Sequence, residues 1–228
     1  MLRIIPTALL LSLAVQAQAA DTPYRNMAPL DQYLIAQPAA EIALAKSAAP
    51  PSIADKAEVM VLERQGYKTA VKGTNGFVCV VERSWTAGFG DPEYWNPKIR
   101  GPICFNPPAA RTYLPLTIAR TRLALAGKSE TQIQEAITSA YDKKELPALE
   151  AGTMCYMLSK QGYLGDQAGG HWHPHLMFWA ERTEPEAWGA GLPGSPMIGA
   201  VEIPGRLTIF MIPVGKWSDG TSDSHDEM

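Results

Sequence analysis

The segment Gly169-Gly170-His171-Trp172-His173-Pro174-His175-Leu176-Met177-Phe178-Trp179 holds three of the chain's four histidines, one at every second position. Side chains of an extended chain repeat with a period of two, so an extended segment here sets His171, His173 and His175 on one face. Imidazoles gathered in this way suit a transition-metal ion, zinc or copper first. Strand geometry narrows the site. At about 3.3 Å per residue, His171 and His173 stand ~7 Å apart, whereas His171 and His175 stand ~13 Å apart. With metal–nitrogen bonds near ~2 Å, an i, i+2 pair can share one ion and an i, i+4 pair in a straight strand cannot easily do so. Pro174 can bend the run, since proline inside a strand marks an edge or a bulge. The expectation is a His-x-His pair that includes His173, with His175 as the favoured second ligand and the set completed from another strand. The plainer alternative is that the histidines line a strand edge or satisfy one another in a solvated groove.

Other reactive groups near this segment each have two readings. Cys155 on a preceding apolar run could be a thiolate nucleophile, a mixed metal ligand or a small buried hydrophobe. Glu82, Asp166 and Glu181 are carboxylates within reach of the histidines or simply solvated charges. His225 sits in an acidic terminal segment, where a floppy chain rarely builds a site. Familiar catalytic patterns are missing: Ser195 has no G-x-S-x-G around it, and Ser159-Lys160 lacks the S-x-x-K spacing. There is no P-loop, G-x-G-x-x-G, H-E-x-x-H or EF-hand loop. Gly165, His171 and His173 match the start of a cupin signature, but Met177 and Phe178 stand where its glutamate belongs.

The elements that must position these groups lie in a chain of 228 residues, 46% hydrophobic and 19% charged, which suits one globular domain with a sizeable core. A net charge of −3 gives no basic footprint, so nucleic acid is set aside as a partner. Met1-Leu2-Arg3, an apolar run from Ile4 to Val15 and Ala17-Gln18-Ala19 read as a signal peptide over residues 1–19, which places the mature protein in the periplasm or outside the cell. No stretch is long and apolar enough for a transmembrane segment. In an oxidising space two of the three cysteines pair. Cys79 and Cys104, which flank one loop-rich segment, are the expected disulfide.

Residues 20–51 form an Ala/Pro-rich arm, a linker or a helix laid over the domain; residues 52–217 form a single domain, and residues 218–228 an acidic tail expected to be disordered. Val59 to Leu62, Tyr67 to Val71 and Phe77 to Val81 read as a three-stranded meander with a hairpin turn at Asn75-Gly76. Ser84 to Pro108 is irregular and aromatic, with Trp85, Phe89, Tyr94 and Trp95. These rings either offer a stacking platform for a small molecule or protein partner, or pin a long loop onto the sheet. Asn106-Pro107 opens a helix running to Ala126 that Pro115 interrupts, and Ser129 with Gln132 opens a second. Strands resume at Met154–Leu158, through the histidine run, at Met197–Ile203 and at Leu207–Val214. The fold class is therefore α+β, a mainly antiparallel sheet with an inserted helical hairpin.

Taken in order, Gly73-Thr74-Asn75-Gly76-Phe77-Val78-Cys79, Pro102-Ile103-Cys104, Cys155-Tyr156-Met157-Leu158, Pro174-His175-Leu176-Met177 and Met211-Ile212-Pro213-Val214 resemble an uncharacterised family of exported bacterial proteins. The likeness runs from about Ala49 to Thr221. It implies no activity, cofactor or fold, and adds only that the two cysteines and the His175 segment belong to one organised unit.

Overall fold

The computed structural model describes residues 23–166, 169–202 and 206–224. The expected signal peptide and His225 lie outside the described residues.

Alternation of apolar residues builds one eight-stranded, mostly antiparallel sheet, flanked by five described α-helices. β1 (Glu58–Glu63) and β2 (Gly66–Val71) form a hairpin. β3 (Val78–Glu82) then pairs with β1 from its other side, in parallel, so the order is β2-β1-β3 and not a meander. The reason lies in the two strands. β1 carries apolar residues toward both faces, and Val59, Val61 and Leu62 are buried. β2 exposes Lys68, Thr69 and Ala70 and serves as an edge. The Asn75-Gly76 turn carries the chain across the start of β1 instead of closing a hairpin. Asn75 Nδ2 donates to the Ile53 carbonyl at 2.8 Å, and the Glu58 N–H donates to the Phe77 carbonyl at 2.8 Å. Gly73 makes this crossing possible, because a Cβ there would lie 2.1 Å from the Glu58 nitrogen.

The sheet continues antiparallel from β3 through β4 (Gly101–Phe105), β5 (Met154–Met157), β6 (His175–Glu181) and β8 (Leu207–Pro213) to the edge strand β7 (Ile198–Glu202). Between β4 and β5 come α3 (Pro107–Thr112), α4 (Leu114–Leu125) and α5 (Glu130–Asp142). Asn106 caps α3 by accepting from the Ala109 N–H at 3.0 Å. The regular helix breaks at Tyr113, two residues before Pro115, and α4 carries that proline in its first turn. Ser129 and Gln132 form the capping box of α5.

Each sheet face has its own cover. One face presents Val80, Ile103, Phe105, Cys155, Met177 and Trp179, and Tyr113, Leu116, Ile133 and Ile137 of the helical layer pack against it. The other presents Val59, Cys79, Val81 and Cys104 beneath α1 (Pro38–Lys46) and α2 (Pro51–Ala54). Ala45, Ala48, Ala49 and Ala54 make that contact, and their small side chains let backbone and sheet approach closely. Cys79 and Cys104 are opposed residues of β3 and β4, with Cα atoms 4.0 Å apart, and they are bonded as expected. Residues Ser218–Ser224, read from composition as unstructured, fold back: Ser218 N–H donates to the Leu158 carbonyl at 2.9 Å, and Asp223 is buried. Among the described residues no helix is long and apolar enough to cross a membrane.

Candidate ligand-binding site

Register brings Glu82, Gly101, Met157, Met177, Trp179, Ile209 and Met211 to the helix-covered sheet face, from five strands. The helical layer does not reach all of it. Between this part of the sheet and the loop after β3, a cavity of about 410 Å³ remains, within the range of small-molecule sites. Its floor is apolar, formed by Met157, Met177, Ile209 and Met211. Gly101 opens the space, since β4 sends no side chain upward there. Three of the floor residues are methionines, flexible side chains that adapt to what they pack against.

Two strand-end glutamates, Glu202 and Glu82, border the apolar floor. Glu202, at the end of β7, is buried and accepts from Tyr113 Oη at 2.9 and 2.8 Å and from Trp179 Nε1 at 3.3 Å. Arg120 of α4 completes the set at 3.5 Å. Burial pushes the Glu202 carboxyl above the usual carboxylate range, and Arg120, Tyr113 and Trp179 oppose that rise. The rings of Tyr113 and Trp179 stack at 3.9 Å and hold these two donors in place.

Glu82, at the end of β3, is differently placed. Thr117 Oγ1 donates to it at 2.8 Å, and among the described residues it makes no ion pair. The neighbouring Arg83 is wholly buried against Glu41 at 2.9 Å and donates to the carbonyls of Tyr33 and Val81. Arg120 bonds the Thr86 and Ala87 carbonyls beside Glu202 and stacks on Phe89 at 4.5 Å. Desolvation, with the Glu202 charge adding to it, lifts the Glu82 carboxyl to about 7. Glu82 thus lies at a cavity wall and changes charge near neutrality.

The histidines do not share a strand. Only His175 belongs to β6, and His171, Trp172, His173 and Pro174 form the loop that leads into it. Pro174 explains the limit: it has no N–H for the ladder, and its carbonyl accepts from the Val214 N–H at 2.7 Å as pairing begins. His175 is buried against Trp172, ring centroids 4.4 Å apart, and its Nδ1–H donates to the His173 carbonyl at 2.8 Å. Burial holds its basicity down to about 4, so the ring is neutral with its lone pair on Nε2. His173 Nδ1 lies 2.7 Å from Asp223 Oδ2, and His171 is exposed. Among the described residues no three His, Cys, Asp or Glu side chains converge as a metal-binding group. The crevice beside His171 and His173 has only about 10 Å³, the size of one water.

The remaining sequence candidates fall away from the cavity or into the core. Trp85, Tyr94 and Trp95 are buried, and Trp85 Nε1 donates to Thr121 Oγ1 at 3.0 Å, so these rings pin the loop and do not form an open platform. The loop still serves the cavity, through the wall from Ser84 to Gly88. Cys155 is buried, and burial together with the Glu82 charge raises its thiol well above the ordinary value, which argues against a thiolate nucleophile. Asp166 belongs to a surface cluster with Lys98 and Tyr24, and Glu181 is an exposed strand end. Sequence reasoning passed over Glu202, Arg120 and Asp223. Glu202 had a signal: it is the one charge in the apolar run Met197–Ile203. No family model matches the chain, and neither a curated protein nor a solved structure matches it.

Proposed function

We propose that this protein is a binding module that takes a small, largely apolar molecule into the cavity between the β5-β6-β8 face and the loop after β3. One observation carries the reading: a methionine-floored space of about 410 Å³ with carboxylates on its wall, Glu82 and Glu202 at strand ends and Asp91 and Glu93 in the loop after β3. Mostly apolar lining with a few placed polar groups is what small-molecule sites share. On this reading α4 and α5 are a helical hairpin inserted into the sheet, which delivers Arg120 and Thr117 to the carboxylates. The Cys79–Cys104 disulfide supports a working place in the periplasm or outside the cell. Titration with an uncharged, environment-sensitive naphthylamine dye tests the reading. One saturable site is expected, lost in Met211→Trp and Ile209→Trp variants that fill the cavity and keep the wild-type circular dichroism. Undiminished binding in both folded variants would exclude the cavity.

A second reading is favoured by a different observation. The His175 ring is neutral and oriented by the His173 carbonyl, the arrangement that fixes a metal-ligating imidazole. Under it, zinc or copper binds through His175 with His173 or His171, and Asp223 takes part through His173. Metal titration of wild-type protein and of His171→Ala, His173→Ala and His175→Ala decides it. Loss with His175→Ala and His173→Ala supports the site, and no uptake of either metal at micromolar concentration removes it.

A further inference from the structure

Resting on the reading of the cavity as a ligand site, we propose that its ligand is an organic cation, an ammonium group on an apolar body, with Glu82 as counter-ion. Among the described residues four acidic side chains line the cavity, namely Glu82, Asp91, Glu93 and Glu202, and a single basic one, Arg83. Arg83 is wholly buried and directed at Glu41 and two carbonyls, so it offers no positive charge to the space. Glu202 has Arg120, Tyr113 and Trp179 around it. Among the described residues Glu82 has only neutral donors beside it, the Thr117 hydroxyl at 2.8 Å and the Thr86 hydroxyl, and no paired cation, for a carboxylate that can accept several hydrogen bonds.

An anionic ligand would meet this wall with like charge, and a neutral apolar one would leave Glu82 desolvated without compensation. An ammonium group supplies the missing opposite charge and up to three donors, and its alkyl body covers the thioethers of Met157, Met177 and Met211. The floor contains no further charge, which matches a molecule charged at one end only. Charge-assisted hydrogen bonds of this kind also give selectivity, since the analogue without the donor leaves the carboxylate unpaired.

The test compares three probes of one length, n-octylamine, 1-octanol and octanoate, by calorimetry at pH 8 on the full chain. The amine is expected to bind roughly tenfold or more tighter than the alcohol, and octanoate weakest, as a charge-assisted hydrogen bond predicts. Glu82→Gln, which keeps the shape and the Thr117 contact, should bring the amine to the affinity of the alcohol and leave the alcohol unchanged. Equal binding of amine and alcohol to wild-type protein, or an amine affinity indifferent to Glu82→Gln, would overturn the cation and leave the cavity standing as a ligand site. Failure of all three probes, together with failure of the naphthylamine dye, would remove the ligand site itself. The wild-type comparison stands even where the variant does not fold.

Discussion

Arg83 and Glu41 form an ion pair at 2.9 Å with both side chains essentially inaccessible to water. Glu41 belongs to α1 in the N-terminal arm, and it also accepts from the Leu62 N–H at 3.1 Å. The arm is thereby locked onto β1 and β3, and the arginine next to Glu82 is withdrawn from the cavity. Removing one partner of a buried pair strands the other charge. Glu41→Ala is expected to lower unfolding free energy by about 3–5 kcal/mol in urea titrations, where loss of an exposed pair costs under about 1 kcal/mol. A loss that small would show the arm to be peripheral.

The disulfide joins strands already paired, so its contribution comes chiefly from restricting the unfolded chain across a separation of 25 residues. Cys79→Ser with Cys104→Ser should cost about 3 kcal/mol and leave the fold intact. In the native wild-type protein Cys155 should resist thiol reagents until unfolding, because it is buried and its thiol is held protonated. Rapid native labelling would contradict its position between Phe105 and Met177.

These two relationships mark the limits of what the sequence disclosed. Local chemistry was legible: the Asn106 and Ser129 caps, the strand alternation and the cysteine pairing each depend on neighbours or on a simple count. Strand order was not, because Asn75-Gly76 reads as a hairpin turn whether the next strand joins β2 or crosses to β1. The histidine pattern was real but its period misled, since Pro174 ends the regular ladder one residue before His175. The cavity was least visible of all. Glu82, Thr117, Arg120 and Glu202 come from three elements far apart in sequence, and only tertiary packing shows that one arginine serves Glu202 and the other serves Glu41.

Asp223 ties the C-terminal segment to the histidine loop through His173. Asp223→Ala should therefore loosen both partners together. Hydrogen exchange is expected to accelerate in residues 171–174 and 216–224 and to stay unchanged in β3 and β4. Acceleration confined to the C-terminal segment would mean that the loop is held by Trp172 and Val214 instead.

The titrations of Glu82 and His175 oppose each other. The Glu82 carboxyl is lifted from 4.5 to about 7, chiefly by burial, with Glu202 adding and Thr117, Thr86 and Arg120 opposing. The folded state therefore holds a proton that the unfolded chain has released, and its stabilising effect, complete at low pH, is lost as pH rises from about 5 through 7. His175 is lowered from 6.5 to about 4, again by burial, with the hydrogen bond to the His173 carbonyl opposing. There the unfolded chain holds the extra proton, so the stabilising effect is complete above about 6.5 and is lost as pH falls toward 4. The two slopes have opposite sign over about pH 5 to 6.5, and the wild-type Tm should be nearly level between these values. Glu82→Gln removes the falling slope and should make stability rise with pH, by at most about 3 kcal/mol for a shift of this size. His175→Gln removes the rising slope and should make stability fall over the same interval. Thermal melts of the three proteins at half-unit steps test both signs at once. If both variants stay as level as the wild type, neither group is desolvated to the extent that its burial implies.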